Sequence, residues 1–149
     1  MEHHTILQSV PLFADLSAHH VQALAKSCTE RNFAKGEEIV RQGNPGVGLF
    51  IITRGKVKIV KRLDSGNQIE LATHGPGEVV GEMAVLDGAP RTASVVAEED
   101  TTCLVLASWA FRSFMESHPE VALQILPIVV RRFRETNEAL LNLKASVKE

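Results

Sequence analysis

Cysteine is scarce in this sequence, and neither sign of charge is in excess. The two cysteines, Cys28 and Cys103, are too few for a disulfide scaffold, a four-cysteine zinc site or an iron-sulfur cluster, so we expect two small core residues and no metal. The formal net charge is -2, which provides no broad basic field to hold a nucleic-acid duplex. The chain itself is therefore predicted not to bind nucleic acid.

Long apolar runs are also missing. No run approaches the roughly 20 residues that a membrane-spanning helix needs. The first residues, Met1 to Thr5, have neither the basic flank nor the apolar stretch of a signal peptide. The length of 149 residues and the apolar fraction of 44% are ordinary for one domain with its own core. These features predict a single cytoplasmic domain without membrane contact.

Glycine is absent from both ends of the chain, since all ten glycines lie between Gly36 and Gly88. Turn signals divide this middle part into short runs that are typical of strands. The predicted strands are Glu38 to Val40, Leu49 to Thr53, Val57 to Lys61, Ile69 to Thr73, Thr92 to Ala97 and Thr102 to Leu106. They favour a small β-barrel or jelly roll. The expected fold class is mainly β with flanking helices, a short set before the barrel and a long helix after it.

The glycine-free ends have helical periodicity instead. Ser17 is predicted to cap a short helix over about residues 17 to 28. Ser108 is predicted to cap a second helix, which presents Phe111, Phe114 and Met115 on one face and stops at His118 and Pro119. The one domain, residues 1–149, is expected to consist of N-terminal helices over 1–31, a β-barrel over 32–107 and C-terminal helices over 108–149.

A longer helix with a heptad seam follows. Its seam positions step alternately by four and three: Leu126, Val130, Phe133, Asn137, Leu140, Lys144 and Val147. Pro127 is expected to kink this helix or to mark where it restarts. A single asparagine on an apolar seam sets register in two-stranded pairing. The seam therefore predicts a parallel homodimer through the C-terminal helix.

Residues 81–94, GEMAVLDGAPRTAS, carry the most chemical information. Glu82 to Leu86 is predicted to form one or two helical turns, entered through Gly81 and closed by Gly88 in the left-handed conformation. The free amides and the dipole at a helix start favour an anion. Arg91 returns at the head of a strand, and its planar fork matches phosphate oxygens. The segment predicts an anion site.

Glu82 would repel a phosphate, so its carboxylate is expected to accept hydrogen bonds from a neutral group such as a sugar hydroxyl. Helix amides, an arginine and an outlying glutamate together fit a small phosphorylated sugar. The alternative is that Glu82 caps a helix and pairs with Arg91 on the surface, which is the better interpretation of either residue alone. The length of the whole pattern favours the phosphorylated sugar.

The segment from Gly81 to Ala93 resembles, without a break, the phosphate-binding cassette of the cyclic nucleotide-binding domain family. Residues 33–43 and 49–57 are similar to the opening strands of that family. The resemblance implies that Glu82 receives the ribose 2′-hydroxyl and that Arg91 holds the cyclic phosphate. It implies further contributions from Gly81, from the amides of Met83 and Ala84, from the amide and hydroxyl of Thr92, and from Leu71 at the base.

The last helix adds a second likeness. Residues 131–143 resemble the dimer helix of catabolite-activator-type regulators in this family, where a threonine and a serine reach adenine. Thr136 and Asn137 stand at those two places. Thr92 resembles the residue that holds the guanine amino group in cyclic-GMP-dependent kinases, so the two features conflict. We favour cyclic AMP over cyclic GMP because the Thr92 hydroxyl has a second use at the phosphate.

The resemblance implies a non-catalytic receptor that answers a cyclic mononucleotide by moving its C-terminal helix. One alternative is the sensor half of a transcription regulator whose DNA-reading domain lies beyond residue 149. Another is an enzyme on a cupin-like jelly roll, which would need two or three histidines with a carboxylate on neighbouring strands. The predicted strands and their ends carry only His74, which disfavours the enzyme.

Several other features are not expected to have a central functional role. The pairs His3-His4 and His19-His20 chelate metal poorly on a helix or a strand and should be solvated. His74 near Glu78 could make a contact at the rim of the cassette. Arg131, Arg132 and Arg134 should form a solvated face balanced by Glu135 and Glu138. The segment 44–48, NPGVG, departs from the family pattern, and only a loop difference is expected there.

Overall fold

A computed structural model describes residues 3–148 of the chain, with side chains described for residues 3–147. The helices are α1 (His3–Gln8), a 3-10 turn (Pro11–Phe13), α2 (Ala18–Ala25), α3 (Ala84–Asp87), α4 (Ser108–Ser117) and α5 (Pro119–Lys148). The strands are β1 (Thr29–Phe33), β2 (Glu38–Val40), β3 (Gly48–Arg54), β4 (Val57–Arg62), β5 (Gln68–His74), β6 (Val79–Val80), β7 (Ser94–Ala97) and β8 (Thr101–Ala107).

The strands form two antiparallel sheets of four, in the orders β1-β8-β3-β6 and β2-β7-β4-β5. The inner faces of both sheets meet in one apolar cluster that includes Phe50, Ile52, Val57, Val95 and Cys103. The predicted fold class, a mainly β jelly roll with flanking helices, is confirmed. The hairpin between β4 and β5 turns at Gly66, whose φ of 91° is readily available to glycine.

Two strands were missed from the sequence, and one was predicted too long. β1 reads TERNF and buries only Phe33, so it lacks the alternation that indicates a strand. β6 has only two residues and is too short for any pattern. β7 begins at Ser94 rather than Thr92, because Thr92 and Ala93, the last residues of the cassette, still form a bend.

The helices form a second apolar layer on the outer face of the first sheet. Leu49 and Ile51 of β3 and Leu104 and Leu106 of β8 point away from the barrel interior and pack with Leu7, Leu12, Phe13, Leu24, Phe111, Val121, Ile125 and Ile128. The two cysteines are buried in the two clusters, one in each, which confirms their prediction as core residues. Burial raises the pKa of the Cys28 thiol to about 12 and that of Cys103 to about 11.

Of the two predicted caps, one is confirmed and one is wrong. The Ser17 hydroxyl oxygen accepts a hydrogen bond from the His20 amide at 3.2 Å, although the helix ends at Ala25 rather than near residue 28. Ser108 lies within the first turn of α4, where Ala107 is the residue that precedes the helix, and its side chain caps no helix amide. The following residue, Trp109, is 76% exposed.

The long helix α5 runs for 30 residues, about 45 Å at the usual rise per residue. Pro127 lies inside it and the helix continues without a break, so of the two predicted alternatives, a kink or a restart, the restart is not found. Val121, Ile125 and Ile128 are buried against the rest of the domain, and every residue from 133 to 147 is exposed. The helix therefore has an anchored first half and a projecting second half.

Candidate binding site

The cassette encloses one side of a cavity of 440 Å³ between the two sheets. Gly81, Glu82, Met83, Ala84, Arg91 and Thr92 all line it, together with apolar residues of the barrel such as Val40, Ile59 and Val95. Gly81 has a φ of 79°, and a Cβ built on it would overlap the Arg91 guanidinium. Glycine is therefore needed both for the turn and for the space that Arg91 occupies.

The cassette helix α3 is shorter than predicted, beginning at Ala84 instead of Glu82. Its first hydrogen bond runs from the Val85 amide to the Gly81 carbonyl at 3.2 Å, so the amides of Met83 and Ala84 precede the hydrogen-bonded turn. Gly88 ends the helix with a φ of 65°, which confirms the predicted left-handed closure.

Arg91 is half-buried, and no carboxylate in the described part of the chain pairs with it. Its Nη2 donates a hydrogen bond to the Gly48 carbonyl. Its Nε is buried with no hydrogen-bond partner among residues 3–148. Burial lowers the pKa of this guanidinium because removal from water disfavours the charged form. A buried cation with an unsatisfied donor is a strong attractor for an anion.

Glu82, in contrast, has partners on two other elements. Its Oε2 accepts a hydrogen bond from the Leu12 amide in the 3-10 turn at 2.9 Å. Its Oε1 accepts one from Arg132 Nη1 in α5 at 2.5 Å. The alternative pairing of Glu82 with Arg91 is therefore not the one found. The expectation that Arg132 belongs to a solvated face is wrong.

Sequence analysis missed Arg132, although a signal was present. Val121, Ile125 and Ile128 are buried at spacings of four and three, and Arg132 follows four residues later on the same face of the helix. The face that packs on the domain thus ends in an arginine. A charged residue that continues an apolar face is a candidate for a buried partner rather than for solvent.

The structure does not bring three of the predicted residues to the cavity. Leu71 is 55% exposed on the edge strand β5, where the pairing with β4 passes from Ala72 to Glu70 and leaves Leu71 unpaired. Thr136 and Asn137 are exposed on α5, at least one turn beyond the Arg132 contact. Thr136 and Asn137 can contribute to this cavity only if α5 moves or a second chain supplies them.

Two histidine predictions fared differently. His74 Nδ1 contacts Glu78 Oε2, and His74 is not among the residues that line the cassette cavity, so its predicted contact at the rim of the cassette stays a prediction. His20 is not merely solvated: its Nε2 lies 3.0 Å from Glu120 Oε1 and joins α2 to the first turn of α5. Across residues 3–148, no group of His, Cys, Asp and Glu could hold a metal ion. No helix within the same described range is long and apolar enough to span a bilayer.

The fold and the cavity define a class: a jelly-roll domain with a pocket between its two sheets that is lined by the cassette. The sequence profile of the cyclic nucleotide-binding domain matches residues 30–118. The chain belongs to the cyclic nucleotide-binding domain family.

Relatives of known name agree with this family. The chain is 33% identical over 138 residues to a "CRP-like cAMP-activated global transcriptional regulator" of Mycobacterium tuberculosis, covering 93% of this chain and 62% of that one. It is 34% identical over 131 residues to the "Cyclic AMP receptor protein" of Thermus thermophilus, covering 88% and 61%. The chain thus spans less than two thirds of the length of these curated relatives.

Solved structures support the same family assignment. The N-terminal domain of a transcriptional regulator from Streptomyces coelicolor superposes with a TM-score of 0.81 at 36% identity, covering 90% of this chain and 96% of that one. The catabolite activator protein of Thermus thermophilus gives a TM-score of 0.72 at 34% identity, covering 90% and 63%. The family also occurs within enzymes, since a glutaminase of Bradyrhizobium diazoefficiens matches 85% of this chain over 20% of its own length.

Proposed function

We propose that this chain is a non-catalytic receptor for cyclic AMP, located in the cytoplasm, that couples occupancy of the cassette to the position of α5. Arg91 binds the cyclic phosphate, helped by the amides of Met83 and Ala84 and by the amide and hydroxyl of Thr92. Glu82 receives the ribose 2′-hydroxyl. Residues 1–149 act as one unit in this proposal.

The observation that carries the proposal is the Arg91 guanidinium. It is a half-buried cation without a carboxylate partner in residues 3–148, its Nε lacks any acceptor there, and it lies in the cavity that the cassette amides line. A phosphate would supply both the missing charge and the missing acceptors. A surface ion pair or a helix cap would not require this burial.

Glu82 suits a sugar hydroxyl because its carboxylate has lone pairs beyond the two hydrogen bonds that it already accepts. A hydroxyl donor at this carboxylate would join the network that includes the 3-10 turn and α5. Ligand binding is thereby linked to the element that carries the exposed seam, and a ligand shifts that helix only by its differential affinity for the two positions.

Calorimetric titration with cyclic AMP, cyclic GMP and linear adenosine 5′-monophosphate tests the proposal. We expect saturable one-site binding with cyclic AMP tightest. Linear adenosine 5′-monophosphate should bind weakly. Its phosphate is a dianion that is not closed into a ring, so it does not match a site that is shaped for a cyclic phosphate. Equal affinity for all three ligands would refute cyclic nucleotide recognition, and a preference for cyclic GMP would assign the base-reading role to Thr92.

Thr136 and Asn137 are proposed to read the base from a second copy of the chain or after a shift of α5. The support is their exposure on the projecting half of α5, beside the apolar seam. Replacing both by alanine should lower the affinity for cyclic AMP and leave the affinity for cyclic GMP almost unchanged. An equal effect on both ligands, or none on either, would show that this helix does not read the base.

A parallel homodimer through α5 is part of the proposal. Its support is the exposed seam, in which Leu126 is 57%, Phe133 70%, Leu140 50% and Val147 78% exposed. A heptad stripe of this kind on a helix that nothing else covers is typical of two-stranded pairing. Sedimentation equilibrium at micromolar concentrations should give twice the chain mass, and a monomer would exclude it.

A second candidate is that the chain is the sensor part of a catabolite-activator-type transcription regulator. It is favoured by the coverage of relatives, of which the chain spans about 62%, and by their names. In that case the same receptor would act on a separate DNA-binding domain, and this chain would not itself bind nucleic acid. Sequencing the complete transcript of the gene decides between the two.

A further inference from the structure

Residues 43–48 comprise the last part of the connection between β2 and β3 together with the first residue of β3, and this loop hydrogen-bonds to the backbone of the cassette. The Gly43 amide donates to the Arg91 carbonyl at 2.8 Å, and the Arg91 amide donates to the Asn44 carbonyl at 2.8 Å. The Gly46 amide donates to the Ala89 carbonyl at 3.0 Å. The loop therefore fixes the backbone of Arg91 through two hydrogen bonds, one to its N–H and one to its C=O.

The same loop also touches the guanidinium and the cassette helix. The Gly48 carbonyl accepts the hydrogen bond from Arg91 Nη2. A Cβ on Gly46 would lie 2.6 Å from the Ala89 carbonyl oxygen and 2.7 Å from the Ala84 Cβ, so the loop is in direct contact with the cassette backbone. Any displacement of the loop would move Arg91 with it.

Ser108 fastens this loop to the helices. Its amide donates to the Val47 carbonyl at 2.8 Å. Its Oγ lies 3.2 Å from the Gly46 carbonyl and 3.2 Å from the Ala84 carbonyl, so one hydroxyl hydrogen is shared between the loop and the first residue of α3. No other side-chain hydroxyl among residues 3–148 joins the loop to α3.

The chemistry of the first turn of α4 makes this hydroxyl available. Ala107 precedes the helix and has no side-chain acceptor, and Ser108 already lies in helical conformation, one position too late to cap. Its hydroxyl therefore points to carbonyls of the preceding loop instead of to amides of its own helix. α4 leads through a single residue, His118, into α5, so the loop, the cassette and the helical pair meet at Ser108.

We propose that Ser108 is a positioning residue for the ligand site: its hydroxyl holds the loop 43–48 and α3 at the start of α4, which aims the Arg91 guanidinium and the cassette amides at the cyclic phosphate. The inference rests on the proposed binding at Arg91 and adds a residue that contacts no ligand. It also gives the cassette a direct mechanical connection to α4.

The test compares Ser108→Ala, Ser108→Thr and the control Ser113→Ala, an exposed serine on the same helix. Cyclic AMP affinity, measured by calorimetry well below the unfolding temperature, should fall by about three- to ten-fold in Ser108→Ala, as expected for one lost hydrogen bond. Ser108→Thr, which keeps the hydroxyl, and Ser113→Ala should bind like the original chain. Unchanged affinity in Ser108→Ala, or equal losses in the alanine and threonine variants, would overturn the proposal.

Amide hydrogen exchange in the ligand-free chain gives a readout that does not depend on binding. Ser108→Ala should speed exchange at Gly46 and Arg91 but not in the central strand β8, and uniform or absent changes would argue against a positioning role. If the original chain binds no cyclic nucleotide, the proposed ligand is wrong while this exchange pattern still decides the role of Ser108. If Ser108→Ala does not fold, Ser108→Cys replaces it, with an intermediate loss of affinity expected and full affinity as the contrary result.

Discussion

The two ends of the cassette differ in how their charges are satisfied. At the first end, the Glu82 carboxylate accepts hydrogen bonds from the Leu12 amide and from Arg132, and so contacts both flanking helical segments. At the other end, the Arg91 guanidinium donates a hydrogen bond to the Gly48 carbonyl, and its Nε has no hydrogen-bond partner among the described residues. In the proposed receptor, the Arg91 end would therefore supply affinity for an anion, whereas the Glu82 end connects the cassette to the rest of the domain.

Removing the Arg91 charge should have the largest effect. Arg91→Ala deprives a desolvated phosphate of its charged partner, and we expect a loss of about 2 to 5 kcal/mol in binding, roughly 30-fold or more. Folding stability should stay the same or rise, because a buried unsatisfied cation is removed. Calorimetry and urea unfolding measure the two quantities. Arg134→Ala, at an exposed position on α5, is the control, and near-normal cyclic AMP affinity in Arg91→Ala would refute the role of this residue.

Displacing the same guanidinium without removing it should have a smaller effect. Gly81→Ala places a Cβ where the Arg91 side chain lies and at a positive φ. We expect about 1 to 2 kcal/mol of destabilisation and about a ten-fold loss of cyclic AMP affinity. Gly75→Ala is the matched control, since its added Cβ meets nothing within 4 Å and its φ is not positive. Equal behaviour of the two variants would show that space at Gly81 is unimportant.

The Glu82 end is tested by Arg132→Ala. The Arg132 side chain is 35% exposed and that of Glu82 is 14% exposed, so the pair is partly shielded from solvent. We expect the unfolding free energy to fall by about 1 kcal/mol, with the Leu12 hydrogen bond to Glu82 preserved. Arg131→Ala, at the exposed neighbouring position, should cost less in urea unfolding. If both variants lose the same stability, the contact with Glu82 contributes nothing measurable.

The smallest expected effect is a pH-dependent change in the unfolding free energy, caused by Glu120 in the first turn of α5. The pKa of Glu120 is lowered, first by a backbone hydrogen bond and then by the His20 contact, which together exceed the effect of burial. A lowered folded pKa means that the carboxylate stabilises the fold above its unfolded pKa, and this contribution disappears as pH falls through the folded value. Glu120→Gln should therefore be less stable than the original chain near neutral pH, and the difference should vanish at low pH. Urea unfolding across this pH range is the measurement, with exposed Glu116→Gln as the control; a pH-independent difference would contradict the assignment.

Much of this architecture was predictable because it depends on local patterns. The strand runs separated by turn signals and the closure of α3 at Gly88 follow from residue chemistry within a few positions. β1 escaped prediction because its pairing with β8 is a long-range contact that leaves four of its five side chains exposed. Local propensity carries little information about such a strand.

The cassette itself was predictable as a segment, but its partners were not. The roles expected between Gly81 and Thr92 came from the local chemistry of the segment and from its resemblance to the family. Nothing within that segment indicates that Glu82 contacts Leu12, at a separation of 70 residues, or Arg132, at a separation of 50. Ser108 was misassigned for the same reason. The capping rule considers only the helix that follows the serine. The Ser108 hydroxyl instead bonds to the carbonyls of Gly46 in the loop and Ala84 in α3, which are distant in the sequence.

The exposed indole of Trp109 is an intrinsic fluorescent probe of the domain. The chain contains one tryptophan and no tyrosine, so its near-ultraviolet emission comes from a single position. That indole adjoins Ser108, whose hydroxyl bonds to both the loop and the cassette helix. A spectral change on adding ligand would therefore be attributable to the first turn of α4, and the junction between cassette and helices can be followed in solution without attaching a dye.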